Sequence, residues 1–145
     1  MNFPILTLIT LIPLLGAILL IFIPKENEKA IKWTALTVSL VPLALSILVW
    51  AGYNPKIVGG MAFEELYEWI PAIGVRYHLG VDGISIPMVF LTALLTPLSL
   101  IYSFIIKERV KEYFIFFLLL EVGMMGVFVA LDFFLFYVFW EVSLV

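Results

Sequence analysis

Charged residues leave long gaps in this chain, and the gaps limit what it can fold into. Three stretches contain no Asp, Glu, Lys or Arg at all: residues 1–24, 33–55 and 83–106. Each is close to the ~20 residues that cross a hydrocarbon core about 30 Å thick. A fourth apolar run, residues 113–131, is interrupted only by Glu121, and a fifth begins at Phe133. The pattern predicts a multi-pass membrane protein with four complete spans and part of a fifth.

The spans are predicted to be α-helices. Strands of a membrane barrel would be ~10 residues long and would alternate apolar with polar residues, which these runs do not. The composition, 64% hydrophobic and 13% charged, also lies far from that of soluble domains. The first run is expected to be a retained span, because no basic residue precedes it and it exceeds the apolar core of a signal peptide. The expected fold class is therefore an all-α transmembrane helix bundle.

The basic residues predict the orientation of the bundle. The loop at residues 25–32 holds three lysines, and the loop at 107–112 holds two lysines and one arginine. The longer loop at residues 54–83 holds only Lys56 and Arg76. Since cytoplasmic loops are enriched in Lys and Arg, the first and third loops are predicted to be cytoplasmic and the N-terminus to lie outside.

The outer loop, residues 54–83, shows two local patterns. In FEELYEWIP, residues 63–71, apolar side chains at helical spacing predict a short amphipathic helix that ends at Pro71. Residues 73–82 alternate strictly between apolar and polar or small residues, which predicts a half-buried strand in a hairpin. His78 lies on the polar side of that strand, where we favour a solvated or hydrogen-bonded surface residue over a ligand.

Two further sets of residues have mainly structural interpretations. Asp82 and Ser85 precede the third span and fit a helix cap better than a role in admitting protons. Prolines lie inside the first three spans, at Pro13, Pro42 and Pro97. Each frees a carbonyl one turn earlier and is expected to kink its helix. Such kinks are common in membrane helices, so they indicate no mechanism by themselves.

Glu121 and Glu141 give the strongest functional signal. An ionised group at mid-bilayer costs roughly 2.5–3.5 kcal/mol on insertion scales, so chains that keep one usually use it. Counted from the tight turn at Asp132, the two glutamates lie about 16 Å and 14 Å deep on neighbouring antiparallel helices. Gly123 and Gly126 would let another helix approach closely. We predict proton binding and release at Glu141 mainly and at Glu121 secondarily; the alternative is a glutamate that only holds helices together.

The chain offers little for other chemistry. It has no cysteine and one histidine, which excludes an iron–sulfur cluster and paired-histidine haem ligation within this segment. The chain also lacks a run of acidic residues that could bind a metal, so no metal site is predicted. The expected surroundings are lipid, and no nucleic acid is expected as a partner.

Three segments, residues 69–85, 106–128 and 130–141, together resemble the antiporter-like chain M subunits of respiratory complex I, NuoM in bacteria. The resemblance implies a proton-translocating membrane-arm subunit of an NADH:quinone oxidoreductase in the bacterial plasma membrane, next to antiporter-like chains L and N. It implies no cofactor in this chain, with NADH, FMN, iron–sulfur clusters and quinone bound by other subunits. It also implies that Glu141 is the fifth-helix carboxylate, which pairs with a lysine on a later broken helix. It assigns Glu121 no role.

The resemblance also divides the chain and leaves alternatives. Residues 1–112 would form the first three helices with the outer loop, and residues 113–145 would begin the proton-translocation domain. Members of the family are several times longer, so we expect Val145 to be the end of a fragment. The nearest alternative is a subunit of an Mrp-type multisubunit cation/proton antiporter. A second is a membrane scaffold subunit that transports nothing.

Overall fold

The structure, a computed structural model, describes residues 3–53 and 61–144. Residues 54–60, which include Lys56 and the start of the predicted outer loop, lie outside the described residues. The described part forms five α-helices and one two-stranded antiparallel hairpin. In chain order these are α1 (Ile5–Phe22), α2 (Glu28–Gly52), β1 (Ala62–Ile70), β2 (Val75–Val81), α3 (Ser85–Tyr102), α4 (Val110–Val129) and α5 (Phe133–Leu144).

The four predicted spans are confirmed as helices. α1, α2 and α4 are long and apolar enough to cross a membrane, and so is α3 together with the 3-10 turn that extends it to Ile105. Fewer than half of the residues in each span are buried inside the bundle. The outward faces are also apolar, as at Leu15, Leu19 and Phe22 of α1. A helix that is hydrophobic on all sides fits a lipid environment.

The helices form a bundle in which sequence neighbours run antiparallel. α4 packs against α1, α2 and α3 and, on another side, against α5. At one end, Lys32 Nζ donates to the carbonyl oxygen of Phe104 at 2.8 Å, and Lys111 Nζ donates to that of Ile21 at 2.7 Å. The two lysine-rich loops therefore lie together at the same end. That this end is cytoplasmic stays a prediction.

The outer-loop segment predicted as an amphipathic helix is a strand, so that prediction is wrong. β1 pairs with β2 in an antiparallel register, with Leu66 opposite His78 and Tyr67 opposite Tyr77. Side chains of the supposed apolar face, Leu66 and Tyr67, are exposed. The aromatic residues of this segment also favour strands. In addition, β2 lies alongside and supplies hydrogen-bond partners for the backbone of an extended segment. The predicted strand is confirmed as β2, with Gly74 at φ 70° in the turn before it.

The hairpin covers the end of the bundle opposite the lysine-rich loops. Leu131 N, in the turn between α4 and α5, donates to the carbonyl oxygen of His78 at 2.8 Å. Arg76 N donates to Asp132 Oδ2 at 3.1 Å. His78 is partly exposed, and its Nε2 contacts a carboxylate oxygen of Glu64. The histidine is thus a hydrogen-bonded surface residue, as its place on the polar side of the strand predicts.

Candidate functional site

α4 and α5 approach each other through two glycines. A Cβ placed on Gly123 would lie 2.6 Å from Ser143 N, and one placed on Gly126 would overlap the ring of Phe139. Neither position has room for a side chain. The sequence-based expectation that these glycines admit a neighbouring helix agrees with this packing, and the neighbour is α5.

These contacts fix the relative depth of the two glutamates. Because Gly123 meets Ser143 and Gly126 meets Phe139, Glu141 lies level with residues 124–125 of α4. Glu121 is therefore about one helical turn, ~5 Å, farther from the α4–α5 turn than Glu141 is. A count of residues from Asp132 alone predicts nearly equal depths, because the register between the two helices is not contained in that count.

Glu121 points into the bundle. Its residue is 1% exposed, and no hydrogen-bond donor within residues 3–53 and 61–144 reaches either carboxylate oxygen. It is two residues before Gly123, and two residues turn a helix by about 200°. Since Gly123 faces α5, Glu121 faces the other side, where α1, α2 and α3 pack.

Glu141 points out of the bundle. α5 buries Leu135 and Phe139 against the other helices, whereas Glu141 is exposed. Glu141 follows Phe139 by two residues and so lies on the opposite face, one turn after the exposed Tyr137. The lysines and arginines of the described chain lie in or next to the loops, so none lies near Glu141 at mid-depth. The structure therefore does not bring the two glutamates together: they lie on opposite sides of the α4–α5 pair.

Two aspartates hold the beginnings of helices at the hairpin end. Asp82 Oδ1 accepts hydrogen bonds from Ser85 N at 2.8 Å and Ile84 N at 2.9 Å, where α3 begins. These bonds, that from Ser85 N first, keep the pKa of Asp82 below its ordinary value. Asp132 acts likewise at α5, where its Oδ1 accepts from Phe134 N at 2.9 Å. α1, α2 and α3 each continue through the proline predicted to kink it; the kinks themselves stay predictions.

One buried carboxylate was missed by the sequence analysis. Glu65 of β1 is 6% exposed, and its Oε2 accepts from Leu6 N at 2.9 Å and Thr7 N at 3.1 Å. Its Oε1 accepts from the Thr7 hydroxyl at 2.6 Å, which also bonds Tyr77 at 3.0 Å. Glu65 thus caps α1 from a distant strand. One feature of the sequence indicates such a contact. Pro4 precedes α1 and has no side chain that can cap the helix, so the first amides of α1 need another acceptor.

Tyr77 adds a second polar group to this capping cluster. Burial raises the pKa of the Tyr77 hydroxyl, the hydrogen bond with Thr7 opposes that rise, and the charge of Glu65 adds to it. The hydroxyl therefore stays protonated over the physiological pH range, where it can donate or accept. For metals, no group of three or more His, Asp or Glu side chains that could hold an ion occurs among the residues described.

Comparisons with known proteins agree with the architecture. No protein-family model matches the chain. It is 44% identical over 144 residues to NADH-quinone oxidoreductase subunit M of Rhodobacter capsulatus, an alignment that covers 97% of this chain and 28% of that protein. It is 38% identical to NAD(P)H-quinone oxidoreductase chain 4 2 of Trichodesmium erythraeum (strain IMS101), with 99% of this chain and 26% of that protein covered. The chloroplastic chain 4 of Mesostigma viride is 35% identical, covering 99% and 28%.

Among solved structures, the chain resembles one in an archaeal respiratory membrane complex, the membrane-bound sulfane sulfur reductase. The TM-score is 0.77 at 22% identity, covering 96% of this chain and 21% of that one, which supports the fold alone. The chain spans about a quarter of the length of the curated relatives it matches. Over nearly all of its own length, the chain is similar to subunit M and chain 4 proteins of the NADH- and NAD(P)H-quinone oxidoreductases.

Proposed function

We propose that this chain is part of a membrane-arm subunit of a complex I-type NADH:quinone oxidoreductase and takes part in proton translocation driven by quinone reduction. The observation that supports this most is the position of Glu141. It lies near mid-membrane depth on an exposed face of α5, beside the hydroxyl of Tyr137 one turn earlier. A carboxylate in that position is costly if it stays exposed to lipid, so another segment or subunit is expected to cover it.

The covering segment should contribute a basic group. A cation close to Glu141 favours its ionised form, and withdrawal of the cation favours the protonated form. Repeated approach and withdrawal would bind and release a proton at Glu141. Since lysines and arginines of the described chain lie in or beside the loops, we expect the cation on a helix outside this chain. Glu121, which faces the bundle interior, is a second candidate for proton binding.

The rest of the assignment follows from this role. We propose that NADH, FMN, iron–sulfur clusters and quinone bind to other subunits and that this chain performs no redox chemistry. Its expected partners are the antiporter-like chains L and N in a bacterial plasma membrane, with lipid around the outward faces. The names of the relatives, which are quinone oxidoreductase subunits, support membership of such a complex.

The test compares three variants in membranes that contain the assembled complex. Glu141→Gln should leave assembly intact on a native gel and reduce NADH-driven proton uptake at least tenfold, whereas Glu141→Asp should retain part of it. Glu68→Gln, which changes an exposed hairpin carboxylate, is the matched control and should pump normally. Normal pumping by Glu141→Gln would contradict the proposal. Na⁺-dependent proton exchange without NADH would favour the Mrp-type antiporter, and failed assembly in both Glu141 variants would favour the scaffold.

A further inference from the structure

Glu121 lies in a layer of unusual composition at the middle of the bundle. A Cβ on Gly16 of α1 would lie 3.2 Å from Leu118 of α4, so in these antiparallel helices Pro13 lies level with Glu121. The ring centroids of Phe104 and Phe114 are 6.4 Å apart, a separation typical of aromatic pairs. That contact places Pro97 of α3 level with Glu121 as well.

The remaining helix joins the same layer. The rings of Trp33 and Phe104 are 5.5 Å apart, and those of Trp50 and Phe90 are 5.3 Å apart. Pro42 is about midway between the two tryptophans along α2, and Pro97 is midway between the two phenylalanines along α3. Because α2 and α3 run antiparallel, the two prolines lie at the same depth. The three intrahelical prolines and Glu121 therefore share one depth, and all four residues are buried.

The layer is rich in hydrogen-bond acceptors. Each proline lacks an N–H, so the carbonyl oxygen one turn before it loses its usual helical donor. Three buried hydroxyls lie within three residues of the proline of their own helix, and each already donates its proton to a carbonyl of that helix. They are Thr10 (to Leu6 O, 2.9 Å), Ser39 (to Leu36 O, 2.7 Å) and Thr96 (to Thr92 O, 2.9 Å). Their oxygens remain able to accept.

Charged groups that could neutralise an ionised Glu121 are absent from the facing surfaces of the described chain. α1 and α3 contain no Asp, Glu, Lys, Arg or His, and the hairpin places its charges at the end of the bundle. The ionisable groups of α2 are confined to its first turns, at Glu28, Lys29 and Lys32. Glu141 of α5 lies on the far side of that helix.

We propose that Glu121 and this proline layer form an internal proton-binding site, separate from Glu141, in which the Glu121 carboxyl holds a proton and donates it to an acceptor of the layer. No described residue donates a hydrogen bond to either Glu121 oxygen, and a buried charge without partners neutralises instead. A protonated carboxyl supplies the donor that the layer lacks. The proton comes from water and returns to it, with no change in any covalent bond between heavy atoms.

The Glu121 site adds a second bound proton to the proposed function. Movement of that proton during turnover rests on the proposed function, whereas its binding at rest does not. The resting protonation of Glu121 can be tested without turnover. In the assembled complex, infrared difference spectra between wild type and Glu121→Gln should contain the C=O stretch of a protonated carboxyl at neutral pH, shifted in D₂O. The control difference, wild type against Glu68→Gln, should lack that band.

Variants of the layer keep the test decisive if Glu121→Gln fails to assemble. Thr10→Val and Thr96→Val each remove an acceptor oxygen while preserving side-chain shape, and at least one should shift the carboxyl band without abolishing it. Absence of the band from the wild-type minus Glu121→Gln spectrum, or no shift in either threonine variant, would overturn the proposal. A band that disappears when Na⁺ is added would show a cation site instead and would also overturn it.

The two proposals fail separately. If Glu141→Gln pumps normally while the Glu121 band is present, the proposed function is wrong and the proton site stands. If Glu141→Gln stops pumping while the Glu121 band is absent at neutral pH, the function stands and the proton site is wrong.

Discussion

Gly126 of α4 lies directly against the ring of Phe139 of α5, with no space between them for even a methyl group. This contact and the one between Gly123 and Ser143 hold the two helices at close range. They also fix which way the helices turn their carboxylates, Glu121 inward and Glu141 outward. The arrangement of the candidate site therefore depends on two residues that have no side chain.

Gly126→Ala is expected to push α5 away from α4. Inserting a methyl group into a filled interior typically costs 1–3 kcal/mol. The variant complex should lose activity at a lower temperature than wild type, measured as residual NADH:quinone activity after heating. Gly83→Ala is the control, because a Cβ there would lie 3.4 Å from the nearest atom, the Tyr53 hydroxyl oxygen. The double variant Gly126→Ala with Phe139→Leu should recover part of the loss; equal heat stability of Gly126→Ala and wild type would contradict the packing.

Glu65→Ala is expected to loosen the start of α1. It removes the acceptor of the Leu6 and Thr7 amides, and loss of a helix cap costs about 1 kcal/mol. Proteolysis from the hairpin side should cut near the start of α1 faster in this variant. The neighbouring substitution Glu64→Ala, at an exposed residue, should leave the cleavage rate near that of wild type. Equal rates for the two variants would mean that Glu65 does not hold the helix.

Acid is expected to weaken the junction between the hairpin and α5. The hydrogen bond from Arg76 N, followed by those from Leu135 N and Phe134 N, lowers the pKa of Asp132 from its ordinary 3.8. A group with a lowered folded pKa stabilises fully above its unfolded pKa, and this stabilisation is lost as pH falls through the folded value. Wild type should thus lose heat stability below about pH 4 more steeply than Asp132→Asn. Parallel pH curves for the two proteins would contradict this.

The orientation predicted from the loop charges can be measured with single cysteines, since this chain has none of its own. Glu26→Cys, in the first lysine-rich loop, should react with a membrane-impermeant thiol reagent only from the cytoplasmic side. Glu68→Cys, on the hairpin, should react only from the outside. Both positions are exposed, so accessibility reports the side of the membrane and not burial. The opposite pattern would reverse the orientation.

The sequence determined the features that depend on the local chain alone. Apolar runs of about 20 residues form helices in a membrane, because lipid offers no hydrogen-bond partners and a helix satisfies its own backbone groups. The alternation in residues 75–81 likewise predicted a strand. The cost of a mid-membrane carboxylate singled out Glu121 and Glu141 without any knowledge of their neighbours.

Only the tertiary structure decided the features that depend on partners. Residues 63–70 fit a helical pattern, but pairing with β2 made them a strand, and that strand brings Glu65 to the start of α1. Glu121 and Glu141 were predicted to lie at nearly the same depth, because depth can be counted along a helix. Direction cannot, since it is set by the α4–α5 contact through Gly123 and Gly126. The three prolines likewise became one layer only when antiparallel packing brought α1, α2 and α3 into register.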